Sequence, residues 1–337
     1  MTPADHALPL PLRALAPAKI NLGLFVGPKR EDSRHELVSV MQSISFADEL
    51  TLEHAPAGAE RDEVVCPGVA GENLAARALE LFRGATAWDE GWVRLTIDKR
   101  VPVAAGLGGG SADAAAALRL ASAASGLGDE DLLLLLAGEL GADVPAQVSP
   151  GRWLATGAGE LLEVLPDPVS PFGVLVLAQA TGLSTAEVYA TADRLACLPA
   201  VCPLGMPFRA PPAIGGPRTG DLAHDAFFLA ERRQALRRAL ELGAALPGEA
   251  DLLHNDLQEA AVALCPAVGQ ALEQAGEVGA EVAFVSGSGP TVVGLFARAN
   301  GLARAQRAAA GLAGREPPPV AAVPVDASFA GVQRPRT

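Results

Sequence analysis

The segment VPVAAGLGGGSADAAAALRL, residues 101–120, sets Gly106, Gly108, Gly109 and Gly110 between an apolar run and an alanine-rich stretch. Ser111 is the expected N-cap of a helix running to about Ser125, with Gly126 as its stop. Consecutive glycines let a backbone approach a ligand closely and turn its N–H groups inward. A helix start adds unpaired N–H donors and the positive end of the helix dipole. The chemistry this predicts is anion binding, with phosphate the common occupant; a glycine-rich connector without a ligand is the plainer alternative.

Spacing removes three other glycine motifs. A dinucleotide fingerprint, G-x-G-x-x-G, fails because the sixth position from Gly106 is Ser111. A P-loop needs a lysine after the glycines, and none follows. The G-x-S-x-G elbow of esterases occurs neither here nor around Ser286 and Ser288.

Of 26 basic residues, only Lys19, Lys29 and Lys99 are lysines. A chain that uses arginine almost everywhere marks its lysines as candidates for positions that want a compact ammonium. Asp143 lies in GADVP, a loop constrained by Gly141 and Pro145, where an aspartate can also serve as an Asx-turn.

These residues need elements to position them. INLGLFV (20–26) alternates, which predicts a strand with Ile20, Leu22, Leu24 and Val26 on one face and Lys19, Asn21 and Phe25 on the other. A polar loop over 27–36 leads back into strand, and a helix is expected over 72–85, then a strand over 92–97. A second buried helix, DEDLLLLLAGEL, should end at Gly141. Strands are expected at GRWLAT, LLEVL and 172–180, followed by a helix over STAEVYATADRLA. Residues 199–220, rich in proline and glycine, read as a long loop, with helices resuming at about 222–245 and 253–263. EVAFVSGSGPTVVGLFA (281–297) reads as strand, glycine turn, strand, and the C-terminus as a last strand and a frayed tail. Strands and helices do not alternate strictly, so the fold class is α+β. The expected division is 1–158, 159–325 and a tail over 326–337.

A chain of 337 residues, half of them hydrophobic, can bury a large core in two domains. A net charge of −13 argues against a nonspecific nucleic-acid binder, which needs basic surface. Cys66, Cys197, Cys202 and Cys265 have neither zinc-site spacing nor the look of a disulfide framework. The first residues lack the apolar core of a signal peptide, and no apolar run reaches membrane-helix length. A soluble, cytoplasmic protein is the expectation.

PAKINLGLFV (17–26), GLGGGSADAA (106–115), GADVP (141–145) and SGSGPTVVGLF (286–296) occur in this order. Together they resemble the GHMP kinase superfamily, over most of the chain except 199–250. The resemblance implies a two-lobed α+β kinase fold with the active site in the cleft between the lobes. It implies an N-terminal lobe for ATP and catalysis and a C-terminal lobe for the substrate. Within the superfamily, PAKINL, a loop ending in HEL, and GADVP resemble the branch that phosphorylates a cytidine-diphosphate-linked polyol in non-mevalonate isoprenoid biosynthesis. Its co-reactant is ATP as the Mg2+ complex; no protein metal site is assigned.

Carried over by that resemblance, Asp143 is the general base for the acceptor hydroxyl, and Lys19 keeps it ionised and supports the moving phosphoryl group. Gly106, Leu107, Gly108, Gly109, Gly110 and Ser111 would hold the ATP phosphates, with Ser111 also a candidate contact to magnesium. Asn73 and Lys99 would lie near the nucleotide, while Asp113 is as well suited to capping the helix as to catalysis. Gly287, Ser288 and Gly289 would support the substrate by close backbone approach. Asn21 would contact the substrate, His35 would hydrogen-bond the cytosine ring, and Tyr189 would stack on it. The family often places a tyrosine just before the histidine, where this chain has Arg34, so sandwiching of the base is open. A kinase acting on homoserine or mevalonate, or a nucleotide-binding regulator without chemistry, also remains open. A nicotinamide oxidoreductase is disfavoured by the glycine spacing. Oligomeric state is not legible.

Overall fold

The computed structural model describes residues 7–69, 71–196, 222–244, 246, 250–297 and 300–334. The expected loop over 199–220, with Cys197 and Cys202, lies outside the described residues. Cys66 and Cys265 are free thiols.

The N-terminal part is one mixed sheet covered by helices. Strands β1 (Leu12–Lys29) and β2 (His35–His54) form a long antiparallel hairpin. The far edge of β2 pairs with β5 (Arg152–Thr156) near its start and with β4 (Val93–Asp98) near its end. Short strands β3 (Glu63–Val65) and β6 (Leu161–Leu165) finish the edges, giving the order β3-β4-β2-β5-β6 with β1 on β2. Helices α1 (Leu74–Thr86), α2 (Gly109–Ser125), α3 (Glu130–Leu140) and the single turn α4 (Pro145–Val148) pack around one core with it. Helix α2 is apolar almost all round, as a central helix must be, and its alanines let α1 and β1 approach closely.

The C-terminal part is a second, antiparallel sheet in the order β10-β7-β9-β8, with β7 (Gly173–Leu177), β8 (Val282–Val285), β9 (Val292–Phe296) and β10 (Val320–Ala322). Helices α5 (Thr185–Ala196), α6 (Leu222–Leu240), α7 (Gln258–Leu264), α8 (Pro266–Glu277) and α9 (Gly301–Gly311) complete it. One apolar cluster joins the lobes, with Ile20, Leu22 and Val40 meeting Val174, Phe284 and Leu295. Removal of that apolar surface from water is what fixes one lobe against the other.

Four expectations are corrected. The first strand runs well beyond 20–26 in both directions, and a register shift between Asn21 and Gly23 breaks its alternation. Past it, Leu24 and Val26 pack with Val188 and Leu257, while Phe25 joins Ile20 and Leu22. A one-residue slip in a strand turns every later side chain to the other face. Helix α2 starts three residues early, at Gly109, with Gly108 rather than Ser111 at the N-cap. Helices α8 and α9 are additional to those expected, each burying a narrow face of small residues, Val268, Ala271 and Ala275 in one and Ala305 and Ala308 in the other. The tail is not frayed through residue 334: Ala327–Ala330 form a helical turn, and Arg13 and Gln333 exchange backbone hydrogen bonds of 2.7 and 2.8 Å.

Candidate active site

The glycine loop is built by the turn that precedes α2. Gly106 has φ +77°, and a Cβ there would stand 2.3 Å from the Ser286 carbonyl oxygen, so only glycine fits. Gly108 also needs a positive φ, +67°, and a Cβ would press the Lys19 stem at 3.0 Å. The loop is thus wedged between β1 on one side and the β8–β9 turn on the other. The Lys19 N–H donates to the Leu107 carbonyl, and the Ser286 hydroxyl donates to the Gly106 carbonyl at 3.2 Å. Three segments far apart in sequence meet at one point.

That point is the wall of a cleft of 1120 Å³ lined by residues of both lobes. Lys19 Nζ lies 3.4 Å from Asp143 Oδ2 and donates to Asn21 Oδ1 at 2.8 Å. Asn21 in turn donates to Ser39 Oγ at 2.7 Å, and Ser39 to the Gly23 carbonyl. Lys19 is therefore held on both sides, with its side chain 9% exposed, whereas the Asp143 carboxylate is 39% exposed and open to the cleft. No hydrogen bond ties Asp143 into an Asx-turn among the described contacts, so the carboxylate faces the ammonium and solvent. A Cβ at Gly287 would stand 3.4 Å from Lys19 Nζ, which puts the β8–β9 turn directly beside the pair.

At the other side of α2, Lys99 donates to Asp48 Oδ2 at 2.5 Å and to Asp113 Oδ2 at 2.7 Å. Asp48 Oδ1 also accepts from the backbone N–H groups of Arg100 and Val101. Burial works against the Lys99 ammonium, and the two carboxylates more than offset it, holding it above its ordinary value. Asp113 is pushed up to about 7, chiefly by burial, with Lys99 opposing and Asp48 adding to the shift. Asp113 Oδ1 is buried without a hydrogen-bond partner. Two carboxylates against one ammonium leave this cluster acidic, directly beneath the start of α2.

The third region lies at the turn end of the β1–β2 hairpin, where Lys29 pairs with His35. His35 Nδ1 is 3.1 Å from the Gly27 carbonyl, and Nε2 is 3.2 Å from Asp193 Oδ2. The Tyr189 ring stacks on His35 with centroids 5.3 Å apart and planes at 28°. Arg34 instead pairs with Asp32, through Nε at 3.0 Å and a terminal nitrogen at 2.9 Å.

Of the residues expected here, Lys19, Asn21, His35, Asn73, Lys99, Gly106, Gly108, Gly109, Gly110, Ser111, Asp143, Tyr189, Gly287 and Ser288 all line this cleft. So does Lys29, and thus all three lysines of the chain. Leu107 and Gly289 do not. Leu107 is in the core and contributes its carbonyl to Lys19, while Gly289 packs against Val285 and Ala261. Asn73 reaches the cleft while capping α1, accepting from the Ala75 N–H at 2.9 Å.

Sequence reasoning missed Asp48, Asn255 and Asp193. Buried Asn255 donates to the carbonyls of Val285 and Gly287, at 2.6 and 2.7 Å, and so holds the β8–β9 turn in place. Only Asp193 left a signal, its i+4 spacing from Tyr189 on one helix.

The arrangement offers a cradle of backbone N–H groups, a carboxylate able to take a proton, and an ammonium beside it. Among the described residues there is no group of three or more His, Cys, Asp and Glu side chains placed to hold a metal ion. No described helix is long and apolar enough to cross a membrane.

Comparison with known proteins gives matches over most of the chain. Residues 73–151 match the family of GHMP kinases N terminal domains and residues 228–313 that of GHMP kinases C terminal. A protein of Salinispora tropica named 4-diphosphocytidyl-2-C-methyl-D-erythritol kinase is 40% identical, over 90% of this chain and 88% of its own. The crystal structure of a 4-(cytidine 5'-diphospho)-2C-methyl-D-erythritol kinase superposes with a TM-score of 0.67 at 31% identity, covering 93% of this chain and 98% of that one. A homoserine kinase from Cytophaga hutchinsonii has a TM-score of 0.64 at 16% identity, covering 96% of this chain and 97% of that one. That last likeness is one of fold alone.

Proposed function

The chain belongs to the GHMP kinases, and within them we propose that it transfers the γ-phosphoryl group of ATP to the 2-hydroxyl of 4-diphosphocytidyl-2-C-methyl-D-erythritol, giving the 2-phosphate and ADP. The observation that carries this reading is the 3.4 Å contact of Lys19 with Asp143, in one cleft with the glycine loop and with the His35–Tyr189 pair. The homoserine kinase shares the fold but only 16% of the sequence, so the substrate rests on the closer relatives and on the aromatic end of the cleft.

The N–H groups at the start of α2 receive the ATP phosphates, as unpaired donors and the positive end of a 17-residue helix favour. Asp143 takes the proton of the acceptor hydroxyl while that oxygen bonds to the γ-phosphorus and the bond to the β-phosphate oxygen breaks. Lys19 offsets charge on the phosphoryl group in transit and keeps Asp143 oriented. Most of the rate gain then comes from positioning and electrostatics, with no covalent intermediate on the protein.

Magnesium fits this site as a companion of ATP. It binds mainly through phosphate oxygens and water, needing only one or two protein oxygens. The Ser111 hydroxyl lines the cleft at the start of α2 and would supply one. The ion would neutralise phosphate charge. Leu107 and Gly289 we place behind the site rather than in it. His35, Tyr189 and the β8–β9 turn would form the acceptor end, and Asn73 and Lys99 the nucleotide end.

The test is ADP release from ATP and magnesium with this cytidine acceptor, beside homoserine and mevalonate. Turnover confined to the cytidine acceptor is expected. Turnover of another alcohol instead would overturn the substrate, and none at all by folded, ATP-binding protein would favour a regulator.

A further inference from the structure

We propose that Arg119 is a positioning residue for the phosphoryl transfer, its guanidinium tying the single turn α4 to β1 and so setting Asp143 opposite Lys19. The proposal rests on the reading above that Asp143 is the base.

The two members of that pair are held unequally. Lys19 donates to Asn21 at 2.8 Å through its ammonium and to the Leu107 carbonyl at 2.9 Å through its backbone N–H. The Asp143 carboxylate makes only the 3.4 Å contact with Lys19 among the described contacts. Where it stands is therefore decided by its backbone, which enters α4 through Val144. In a helix the last four carbonyls lack intrahelical partners, and α4 is only four residues long. Such a turn needs partners from outside.

Arg119, on α2, supplies them. One terminal nitrogen donates to the Gln147 carbonyl at 2.5 Å and lies 3.4 Å from that of Val148, while the other donates to the Leu15 carbonyl at 2.9 Å. Gln147 gives its own N–H to the Val144 carbonyl at 2.9 Å, which closes the turn beside Asp143. Leu15 lies on β1, one short step along the strand from Lys19. A single planar group thus joins the turn that carries the carboxylate to the strand that carries the ammonium, from the helix that begins at the glycines. The rigid two-pronged guanidinium suits this task, and a point charge does not.

Stability alone does not explain an arginine here. Burial pushes its guanidinium down to about 10, no carboxylate pairs with it among the described residues, and its Nε is buried without a partner. A buried cation without a counter-charge is costly, and an apolar side chain would fill the place at less cost. What the arginine adds is a fixed distance between carbonyls on two elements.

The experiment is a double-mutant cycle in which Arg119→Lys and Asp143→Asn are made singly and together. The rate is read by single-turnover ADP formation, and ATP dissociation is measured for each protein. Arg119→Lys keeps the cation and loses the fork. A misplacement of about 1 Å can cost about 10²-fold, so the rate should fall by roughly 10–100-fold. ATP affinity should stay within about twofold of wild type. In the Asp143→Asn background the same substitution should change the rate by about twofold or less, because the carboxylate it positions is gone. Equal losses in both backgrounds, an unchanged rate, or a loss confined to ATP affinity would overturn the proposal. If Asp143→Asn alone reacts at the wild-type rate, the base assignment fails and takes this one with it, a distinct result. Should Arg119→Lys not fold, Arg119→Gln, neutral but still a donor, carries the same cycle with the same outcomes.

Discussion

The Lys19 ammonium lies 3.4 Å from Asp143 Oδ2 and 2.8 Å from Asn21 Oδ1, almost buried, while the aspartate stays open to the cleft. The cation is positioned by the strand hairpin and the carboxylate by the turn before α4. Lys19→Met keeps the bulk of the stem and removes the charge. It should lower kcat by about 10²–10³-fold, the usual loss of one preorganised donor, with a smaller change in KM for ATP. Steady-state kinetics at saturating acceptor checks this, and an unchanged kcat would remove Lys19 from the chemistry.

The glycine loop makes a paired prediction. Gly106→Ala forces a Cβ to within 2.3 Å of the Ser286 oxygen at φ +77°, whereas the nearest atom to a Cβ at Gly110 is 3.9 Å away. The first variant should lose about 1–3 kcal/mol. The second should lose nothing and can gain up to about 1 kcal/mol of helix propensity. Denaturant melts of both proteins distinguish a required backbone approach from mere small-residue preference.

Asp113 makes stability depend on pH. Its carboxyl is raised by burial to about 7 from an ordinary 3.8. Between those values the folded chain holds a proton that the unfolded chain has released, so stability falls as pH rises through that window. The slope is at most about 1.4 kcal/mol per pH unit, and the loss is complete above about 7. Asp113→Asn should flatten the dependence between pH 5 and 8 and melt higher than wild type at pH 8. Parallel slopes for the two proteins would place the titration elsewhere.

Asn255 should matter although it has no charge and no place in the cleft. Replacing it with alanine leaves the Val285 and Gly287 carbonyls and the Leu257 N–H without their partner. Each buried polar group left unpaired costs about 1–3 kcal/mol. Thermal unfolding of Asn255→Ala should show that loss together with a fall in activity, because Gly287 stands beside Lys19 and Asn21.

Much of this site was legible because its signals are local. The glycines before α2, the three lysines in a chain of arginines, and the loop around Asp143 each carry their meaning in a few residues, and all three lysines line the cleft. The extent of β1 was not legible, since burial on both faces erases alternation and the shift between Asn21 and Gly23 reverses it. The Asp48–Lys99–Asp113 cluster needed the pairing of β2 with β4, which no single segment encodes. Asn255 lies in irregular chain before α7, and only the fold reveals that its amide clamps a turn 30 residues on. Leu107 sits within the glycine motif yet faces the core, a reminder that a motif gives an address and not a direction for each side chain.

The most direct measurement is ADP release with ATP, magnesium and the cytidine acceptor by wild type and Asp143→Asn, with ATP binding checked for both. If Asp143 is the base, the variant binds ATP as wild type does and turns over more slowly by about 10²-fold or more. A variant that phosphorylates the acceptor at the wild-type rate would contradict the account at its centre.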